Sequence, residues 1–165
     1  MWDMFQKKFG ELLIKNNFGE KLEKKYFPLL PDVVLSVPYS DIPYLFRWWI
    51  IPRNKYFNIY LHYFLRGDYD EVLHDHPWYN LSIVLFGRYF EEFTGKNFKT
   101  RRAGSITFRK PTTPHRIHLG DGETCWSLFI TGPVIRQWGF HTPEGWMYWK
   151  TFIEKRDSGK LTASQ

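Results

Sequence analysis

The sequence predicts an all-β domain, a sandwich or closed barrel of short strands, behind an N-terminal helical extension. From about residue 45 onward, aromatic and β-branched residues cluster in short runs, and turn-forming residues separate the runs. The loops between the runs are short, which is typical of antiparallel sandwiches and barrels. Aromatic residues make up 20% of the 165 residues, and the eight tryptophans favour a β-rich core or a lined pocket over a helical bundle.

The first 44 residues are predicted to be a helical extension followed by a linker. Apolar residues recur at steps of three and four between residues 3 and 26, which indicates one amphipathic helix or two short ones. Asn16, Asn17 and Gly19 favour a break in the middle of this segment. Prolines between residues 28 and 43 then predict an irregular connection, because proline does not fit a central strand.

Residues 45–153 are predicted to form the barrel as a single domain, and residues 154–165 are predicted to be a polar C-terminal tail. The length of the chain suits one domain with a substantial buried core. Glycine-containing turns separate most of the apolar runs, which fixes the approximate ends of the strands. The predicted strands span residues 46–51, 58–65, 81–86, 89–93, 105–108, 115–119 and 126–131.

Charge and composition exclude several classes of protein. Lysine and arginine outnumber aspartate and glutamate by 23 to 17, but much of the excess lies in the first 25 residues, where lysines alternate with glutamates as on a solvated helix face. We therefore expect no nucleic-acid partner. The single cysteine excludes a disulfide framework. No apolar run reaches the length of a membrane span, so we expect no membrane partner and a cytoplasmic location.

The histidines are the residues that indicate chemistry. His74 and His76 are alternate residues, so on a strand their imidazoles share a face at backbone positions roughly 7 Å apart. Two neutral imidazoles at that spacing can bind one ion at about 2.0–2.2 Å. By itself the pair is more typical of a polar strand edge than of a metal site. A second glycine-bounded segment delivers His115 directly after Pro114, and a barrel of hairpins can close this segment over the first pair.

The spacing around the histidine pair carries a family resemblance. Six residues separate Gly67 from His74, three residues separate His76 from Asn80, and six more separate Asn80 from Gly87. This pattern is similar to the first motif of the cupin superfamily, which consists of glycine, five residues, His-x-His, three or four residues, glutamate, six residues and glycine. The chain has one extra residue before the histidines and an asparagine in place of the glutamate.

A second segment resembles the second cupin motif. His115 lies eleven residues after Gly104, as the family spacing requires, although Pro111 is displaced by one position and the inner glycine is absent. Leu119 stands where the family has asparagine. The resemblance implies a single-domain cupin, that is, a double-stranded β-helix or jelly-roll barrel, and the strand pattern extends it over residues 47–152.

A closer resemblance is to a group of small cupin-like proteins found in bacteria and phages. The shared features are the run from His74 to Trp78, which reads His-Asp-His-Pro-Trp, the later pair His115-Arg116, and the ending 138–146. This group implies no particular activity, so the resemblance bears on the fold and on the position of the site.

The resemblance implies a divalent metal ion held by His74, His76 and His115. Because asparagine replaces the glutamate of the family, the ligands are three neutral imidazoles, similar to those of cysteine-dioxygenase-type cupins. Such a set leaves the full charge on the ion and leaves positions open for other ligands. Asn80 is then a weak oxygen ligand or a hydrogen-bonding partner near the ion. Fe(II) is the first choice of cofactor, with zinc, nickel or manganese as alternatives.

The leading functional hypothesis is a metal-dependent, dioxygenase-like enzyme that acts on a small polar or anionic molecule. Two alternatives stay open. One is a non-catalytic cupin that binds a small ligand such as a sugar or a nucleotide. The other is a metal-independent isomerase or epimerase in which histidine acts as a general base. We also expect that edge strands can pair two copies of the chain into a homodimer.

Five further residues are expected around the ion or in the pocket. Asp75 has the opposite strand parity to its neighbours and is expected to support the site from behind. His62 either lines the pocket or is a satisfied core histidine, and Trp78 is a candidate wall of the pocket. Arg88 and Arg116 lie beside the two motifs, and either one is a candidate anchor for an acidic substrate.

Overall fold

The computed structural model describes residues 1–27 and 29–161, and within them the chain forms three helices and eleven strands. Pro28 of the predicted linker and residues 162–165 of the predicted tail lie outside the described residues. The helices are α1 (Trp2–Lys15), α2 (Phe18–Tyr26) and α3 (Trp149–Asp157). The strands are β1 (Val33–Ser36), β2 (Pro43–Trp49), β3 (Asn58–Phe64), β4 (Leu73–His74), β5 (Asn80–Phe93), β6 (Asn97–Arg102), β7 (Ile106–Arg109), β8 (Arg116–His118), β9 (Cys125–Thr131), β10 (Gly139–Thr142) and β11 (Gly145–Tyr148).

The strands form two antiparallel sheets. The larger sheet has eight strands in the order β1-β2-β3-β9-β5-β6, and β7 and β8 also pair with β5. The smaller sheet has the order β11-β10-β4. A bridge between His74 and His115 joins the smaller sheet to the segment just before β8. The sheets therefore close on each other around an interior space, as in a barrel.

Strand β5 is the longest strand, and its two halves pair with different neighbours. Its first half pairs with β7 and β9, and its second half pairs with β6 and β8. The sequence predicted a break at Gly87, but the structure continues the strand through it. Gly87 has a φ of +76°, and a Cβ there would lie 2.0 Å from the carbonyl oxygen of Thr124. Only glycine fits this bend, which redirects the strand without ending it.

The alternation of residues along β2, β3 and β9 separates two buried faces. On one face, Trp48, Tyr63 and Trp126 pack together with Leu22 of α2, and the Tyr63 and Trp126 rings lie 4.6 Å apart. The other face turns toward the interior of the barrel, where Phe64 and its neighbours pack in a second cluster. Because successive side chains of a strand point to opposite faces, each strand contributes to both clusters.

Helix α1 packs against the turn that connects β6 to β7. A Cβ on Gly10 would lie 2.1 Å from the carbonyl oxygen of Ala103, so the helix backbone approaches the turn directly. The side-chain oxygen of Gln6 accepts a hydrogen bond from the Ile106 backbone nitrogen at 2.7 Å. The predicted N-terminal helical extension is therefore present, as two helices that pack on the barrel.

Several elements were not predicted from the sequence. Strands β1, β4, β6, β10 and β11 are short, with two to six residues each, and helix α3 covers the start of the predicted tail. Short strands with mixed polarity give a weak periodic signal. Strand β4 in addition pairs with β10, which lies far away in the chain. The division into segments 1–44, 45–153 and 154–165 stays a prediction.

No helix within residues 1–27 and 29–161 combines the length and the apolar character needed to cross a membrane.

Candidate metal centre

Backbone hydrogen bonds place the three predicted histidines side by side. His74 and His115 form an antiparallel bridge in which each backbone nitrogen donates to the carbonyl oxygen of the other at 2.9 Å. The His76 nitrogen donates to the carbonyl oxygen of Pro111 at 3.1 Å. The residues 74–76 therefore run alongside the residues 111–115. Directly opposite residues of an antiparallel pair project on the same side, which brings both segments' imidazoles to one place.

The three imidazole rings form a nearly equilateral triangle. The ring centroids lie 5.1 Å apart for His74 and His76, 4.9 Å for His74 and His115, and 5.0 Å for His76 and His115. The Nε2 atoms of His76 and His115 are 3.3 Å apart. One ring nitrogen from each histidine lies within 4.8 Å of those of the other two. The rings therefore converge on a common point.

The spacing of the nitrogens fits a bound ion. Two nitrogen ligands at about 2.1 Å from one tetrahedral ion lie about 3.4 Å apart. The observed separation of 3.3 Å between the Nε2 atoms of His76 and His115 is close to this distance. A donor set of three imidazoles suits iron, nickel, copper or zinc, so the residues fit a divalent transition metal without selecting one.

Burial keeps two of these histidines in the form that binds metal. It lowers the pKa of His76 and the pKa of His115 well below the ordinary value of 6.5, and the neighbouring histidines lower both pKa values further. A neutral imidazole carries one proton and one lone pair. The Nδ1 atom of His115 lies 3.3 Å from the carbonyl oxygen of Thr113, a contact that it can make only by donating its proton. The lone pair is then on Nε2, which faces His76.

The triad lies in the wall of a cavity of about 340 Å³ inside the barrel. Aromatic side chains from several strands make up much of the wall, including Phe64, Phe129 and Trp138. Polar groups come mainly from the strands of the larger sheet, and they include Arg47, His62, Ser82, Arg109 and Ser127. An apolar cavity with a few convergent polar groups is the usual form of a small-molecule site.

Two of the predicted pocket residues lie in the cavity wall. Trp78 stacks beside His76, with ring centroids 6.1 Å apart, and its indole nitrogen is buried without a hydrogen-bond partner in the described part of the chain. His62 is 4% exposed and also lines the cavity, and its Nε2 atom accepts a hydrogen bond from Nε of Arg47 at 2.8 Å. Burial lowers the pKa of His62 well below its ordinary value, so this ring is neutral as well.

Asn80 lies behind the cavity wall, beside a buried arginine. It is 2% exposed, and its Oδ1 atom accepts a hydrogen bond from Nη1 of Arg109 at 3.3 Å. Arg109 in turn donates through Nε to Glu91, which is 0% exposed. Asn80 does not line the cavity itself, and it contacts Arg109, which does.

Asp75 supports the site from behind, on the side away from the cavity. Its carboxylate is 1% exposed and accepts hydrogen bonds from the backbone nitrogen of Gly139 at 2.8 Å and from Nε1 of Trp146 at 2.9 Å. The Arg136 Nη1 atom lies 2.9 Å from it, and the His141 ring nitrogen lies 3.2 Å from it. These contacts tie β10 and β11 to the segment that carries the histidine pair.

The two arginines predicted to anchor a substrate do not lie in the cavity wall, which corrects that expectation. Arg88 is at the surface, where its Nη2 atom pairs with Glu123 at 2.7 Å and more than half of its side chain is exposed. Arg116 lies on β8, and its Nε atom is buried without a hydrogen-bond partner among the described residues. The arginines that do line the cavity are Arg47 and Arg109, which sequence analysis did not single out.

Only strand pairing identifies Arg47 and Arg109 as cavity residues. Arg47 is directly opposite His62, and His62 is directly opposite Ser127, so the three residues form one row across three strands. The one available signal in the sequence was that Arg47 lies two residues after Leu45 on β2. The two side chains therefore share a face, and Leu45 faces the interior. The position of Arg109 two residues before Pro111 carried no such signal.

No family model matches the chain, and no curated protein matches it by sequence. Solved structures do resemble it. The DMSP lyase DddQ from Ruegeria pomeroyi has a TM-score of 0.51 and 18% identity, over 67% of this chain and 57% of that one. The polyketide cyclase RemF from Streptomyces resistomycificus has a TM-score of 0.48 and 18% identity, over 54% and 65%. A Cupin 2 conserved barrel domain protein from Salinispora arenicola has a TM-score of 0.44 and 17% identity, over 53% and 75%.

The chain spans about half to two thirds of the length of the first solved structures that it matches. At identities below one fifth, the similarity concerns the fold alone. The two antiparallel sheets, with the two motif segments bridged to each other over one cavity, have the arrangement that the sequence motifs predicted. The chain has the jelly-roll barrel, or double-stranded β-helix, that the sequence predicted.

Proposed function

We propose that this protein binds one divalent metal ion on His74, His76 and His115, and that Fe(II) there supports a dioxygenase-like reaction on a small polar or anionic molecule. The observation that carries the proposal is the triangle of imidazole rings, whose centroids lie between 4.9 and 5.1 Å apart. When bound, the ion supplies Lewis acidity and oxygen chemistry at the cavity wall. The choice of iron rests on the resemblance to three-histidine cupins.

The surrounding residues orient the imidazoles and shape the cavity. The carbonyl oxygen of Thr113 holds the His115 ring, and the Asp68 carboxylate lies 3.8 Å from Nδ1 of His74. Asp68 is itself held, because it accepts a hydrogen bond from the Ile117 backbone nitrogen at 2.7 Å. Outer contacts of this kind fix ring orientation and raise the affinity for metal. Aromatic rings make up much of the cavity wall beside the site.

The first test is the metal content of protein purified without a histidine tag. We expect about one equivalent of divalent metal per chain in the wild-type protein, measured by inductively coupled plasma mass spectrometry. The His115→Ala variant should bind metal more than about a hundredfold more weakly, because it removes a direct ligand and even outer contacts contribute ten- to a hundredfold. His118→Ala is the matched control. His118 lies on β8, which follows His115 directly, and it pairs with Glu92 at 2.6 Å.

Circular dichroism should show both variants folded, so that loss of metal reports the site and not the barrel. Retention of one equivalent of metal by His115→Ala would rule out the triad as the binding site. Equal loss of metal from His118→Ala would also contradict the assignment, because that ring takes no part in the triangle.

The reaction class is tested by oxygen uptake of Fe(II)-loaded protein with a panel of small organic acids, sugars and nucleotides. We expect uptake that depends on one panel member and that is lost in the His115→Ala variant. Turnover without oxygen uptake would favour an isomerase or a lyase, and DddQ is a lyase with a similar fold. Binding without turnover would favour the non-catalytic alternative.

A further inference from the structure

Arg47 is held in the cavity wall by neutral partners. It lies on β2 and lines the cavity, and its Nε atom donates to Nε2 of His62 at 2.8 Å. Its guanidinium group also lies over the ring of Tyr60, 4.9 Å from the ring centroid. Neither contact involves a negative charge, because an imidazole is neutral or positive and the contact with Tyr60 is to the face of its ring. The contacts therefore orient the guanidinium group and leave its charge uncompensated.

No aspartate or glutamate within the described residues forms an ion pair with Arg47. The other arginine of the cavity differs in this respect, since Arg109 pairs with the buried carboxylate of Glu91. Arg47 is partly buried, and a charge that is partly removed from water is less stable without a counter-charge. Among the described residues, Arg47 is the cavity arginine that forms no ion pair, so a ligand is the natural source of a counter-charge.

The cavity has the size and wall for a small organic ligand. Its volume of about 340 Å³ is at the lower end of the range for ligand pockets. Phe129 lies between His62, which holds Arg47, and His76 of the triad, because its ring centroid is 5.1 Å from that of His62 and 6.1 Å from that of His76. A ligand that starts at Arg47 and extends along Phe129 therefore reaches the histidine triad. The part of the ligand between its two ends contacts aromatic rings and is apolar.

We propose that Arg47 binds the carboxylate of a small organic acid with an apolar or aromatic body, and that this acid is the substrate of the metal site. The inference rests on the proposed function for its catalytic part, but binding to Arg47 does not require the metal. The guanidinium fork matches a carboxylate in two parallel hydrogen bonds, and the Nη atoms of Arg47 make no hydrogen bond within the described residues. His62 is a positioning residue, because it holds Nε and fixes the orientation of the fork.

The test is calorimetric titration of phenylacetate into metal-free protein and into zinc-loaded protein. Phenylacetamide, which has the same shape without the charge, is the matched neutral probe. We expect phenylacetate to bind metal-free protein at least tenfold more tightly than phenylacetamide. The Arg47→Gln variant should lose this preference, Arg47→Lys should keep part of it, and Arg53→Gln should keep all of it, because Arg53 is exposed and stacks on Trp49 outside the cavity.

Equal binding of the two probes by the wild-type protein would overturn the proposal, as would full preference in Arg47→Gln. Inorganic phosphate is the third probe, and tighter Arg47-dependent binding of phosphate than of phenylacetate would replace the carboxylate with a phosphoryl group. The metal content of each variant separates the two claims. A variant that loses carboxylate binding but keeps its metal tests the claim about Arg47 alone. A protein that binds the carboxylate but no metal tests the claim about the triad alone.

Discussion

The Glu91→Ala variant is expected to be less stable than the wild-type protein by about 3–5 kcal/mol in the free energy of unfolding. Glu91 is 0% exposed and accepts hydrogen bonds from Nε of Arg101 at 2.7 Å and from Nε of Arg109. Arg109 is 4% exposed, so the variant leaves its charge buried without a partner. The remaining contacts of Arg109, to Asn80 and Tyr89 at 3.3 Å each, involve neutral groups and do not compensate this charge.

Urea unfolding followed by circular dichroism measures this difference. Glu123→Ala is the matched control, because Glu123 also pairs with an arginine at 2.7 Å but does so at the surface, where such pairs contribute little. We expect its unfolding midpoint to be unchanged. The double variant Glu91→Gln/Arg109→Met should be more stable than Glu91→Gln alone, since it removes the unpaired charge together with its partner. The same midpoint for Glu91→Ala and the wild-type protein would show that this ion pair is not buried.

Metal-free protein is expected to lose stability steeply as the pH falls from 6.5 to 5.5. Burial lowers the pKa values of His62, His76 and His115 in the folded state well below the value of 6.5 that they have when unfolded. Below pH 6.5 the unfolded chain therefore binds more protons than the folded chain does. Each such histidine reduces the free energy of unfolding by about 1 kcal/mol over this pH unit, because the unfolded ring is already half protonated at pH 6.5. Three of them give a combined loss of about 3 kcal/mol.

The measurement is urea unfolding in the presence of a chelator at a series of pH values between 7.5 and 5.5. Carboxylates with ordinary pKa values stay ionised through most of this window, which isolates the contribution of the histidines. His62→Gln is the matched variant, because it removes one titrating ring and leaves the triad intact. Its loss of stability between pH 6.5 and 5.5 should be smaller by about 1 kcal/mol. A stability that does not change between pH 7.5 and 5.5 would mean that the imidazoles take up protons freely in the folded protein.

The sequence predicted the fold class and the residues of the triad because both depend on local patterns. The alternation of apolar residues gives the faces of β3 and β9, and the two-residue spacing of His74 and His76 places their rings on one face. The parity of Asp75 likewise indicated that its carboxylate points away from them. Boundaries were less certain, and Gly87 was interpreted as a break although the strand continues through it.

The composition and order of the residues by themselves determined an all-β barrel, a helical extension and three histidines that can meet. Tertiary structure alone decided which charges face the cavity. Arg47 meets His62 through the register of β2 and β3, and Arg109 meets Glu91 across β5 and β7. The physical reason is that burial and charge compensation depend on side chains that are distant in the sequence. A shift of one residue in register reverses every side chain of a strand, and no local pattern records that choice.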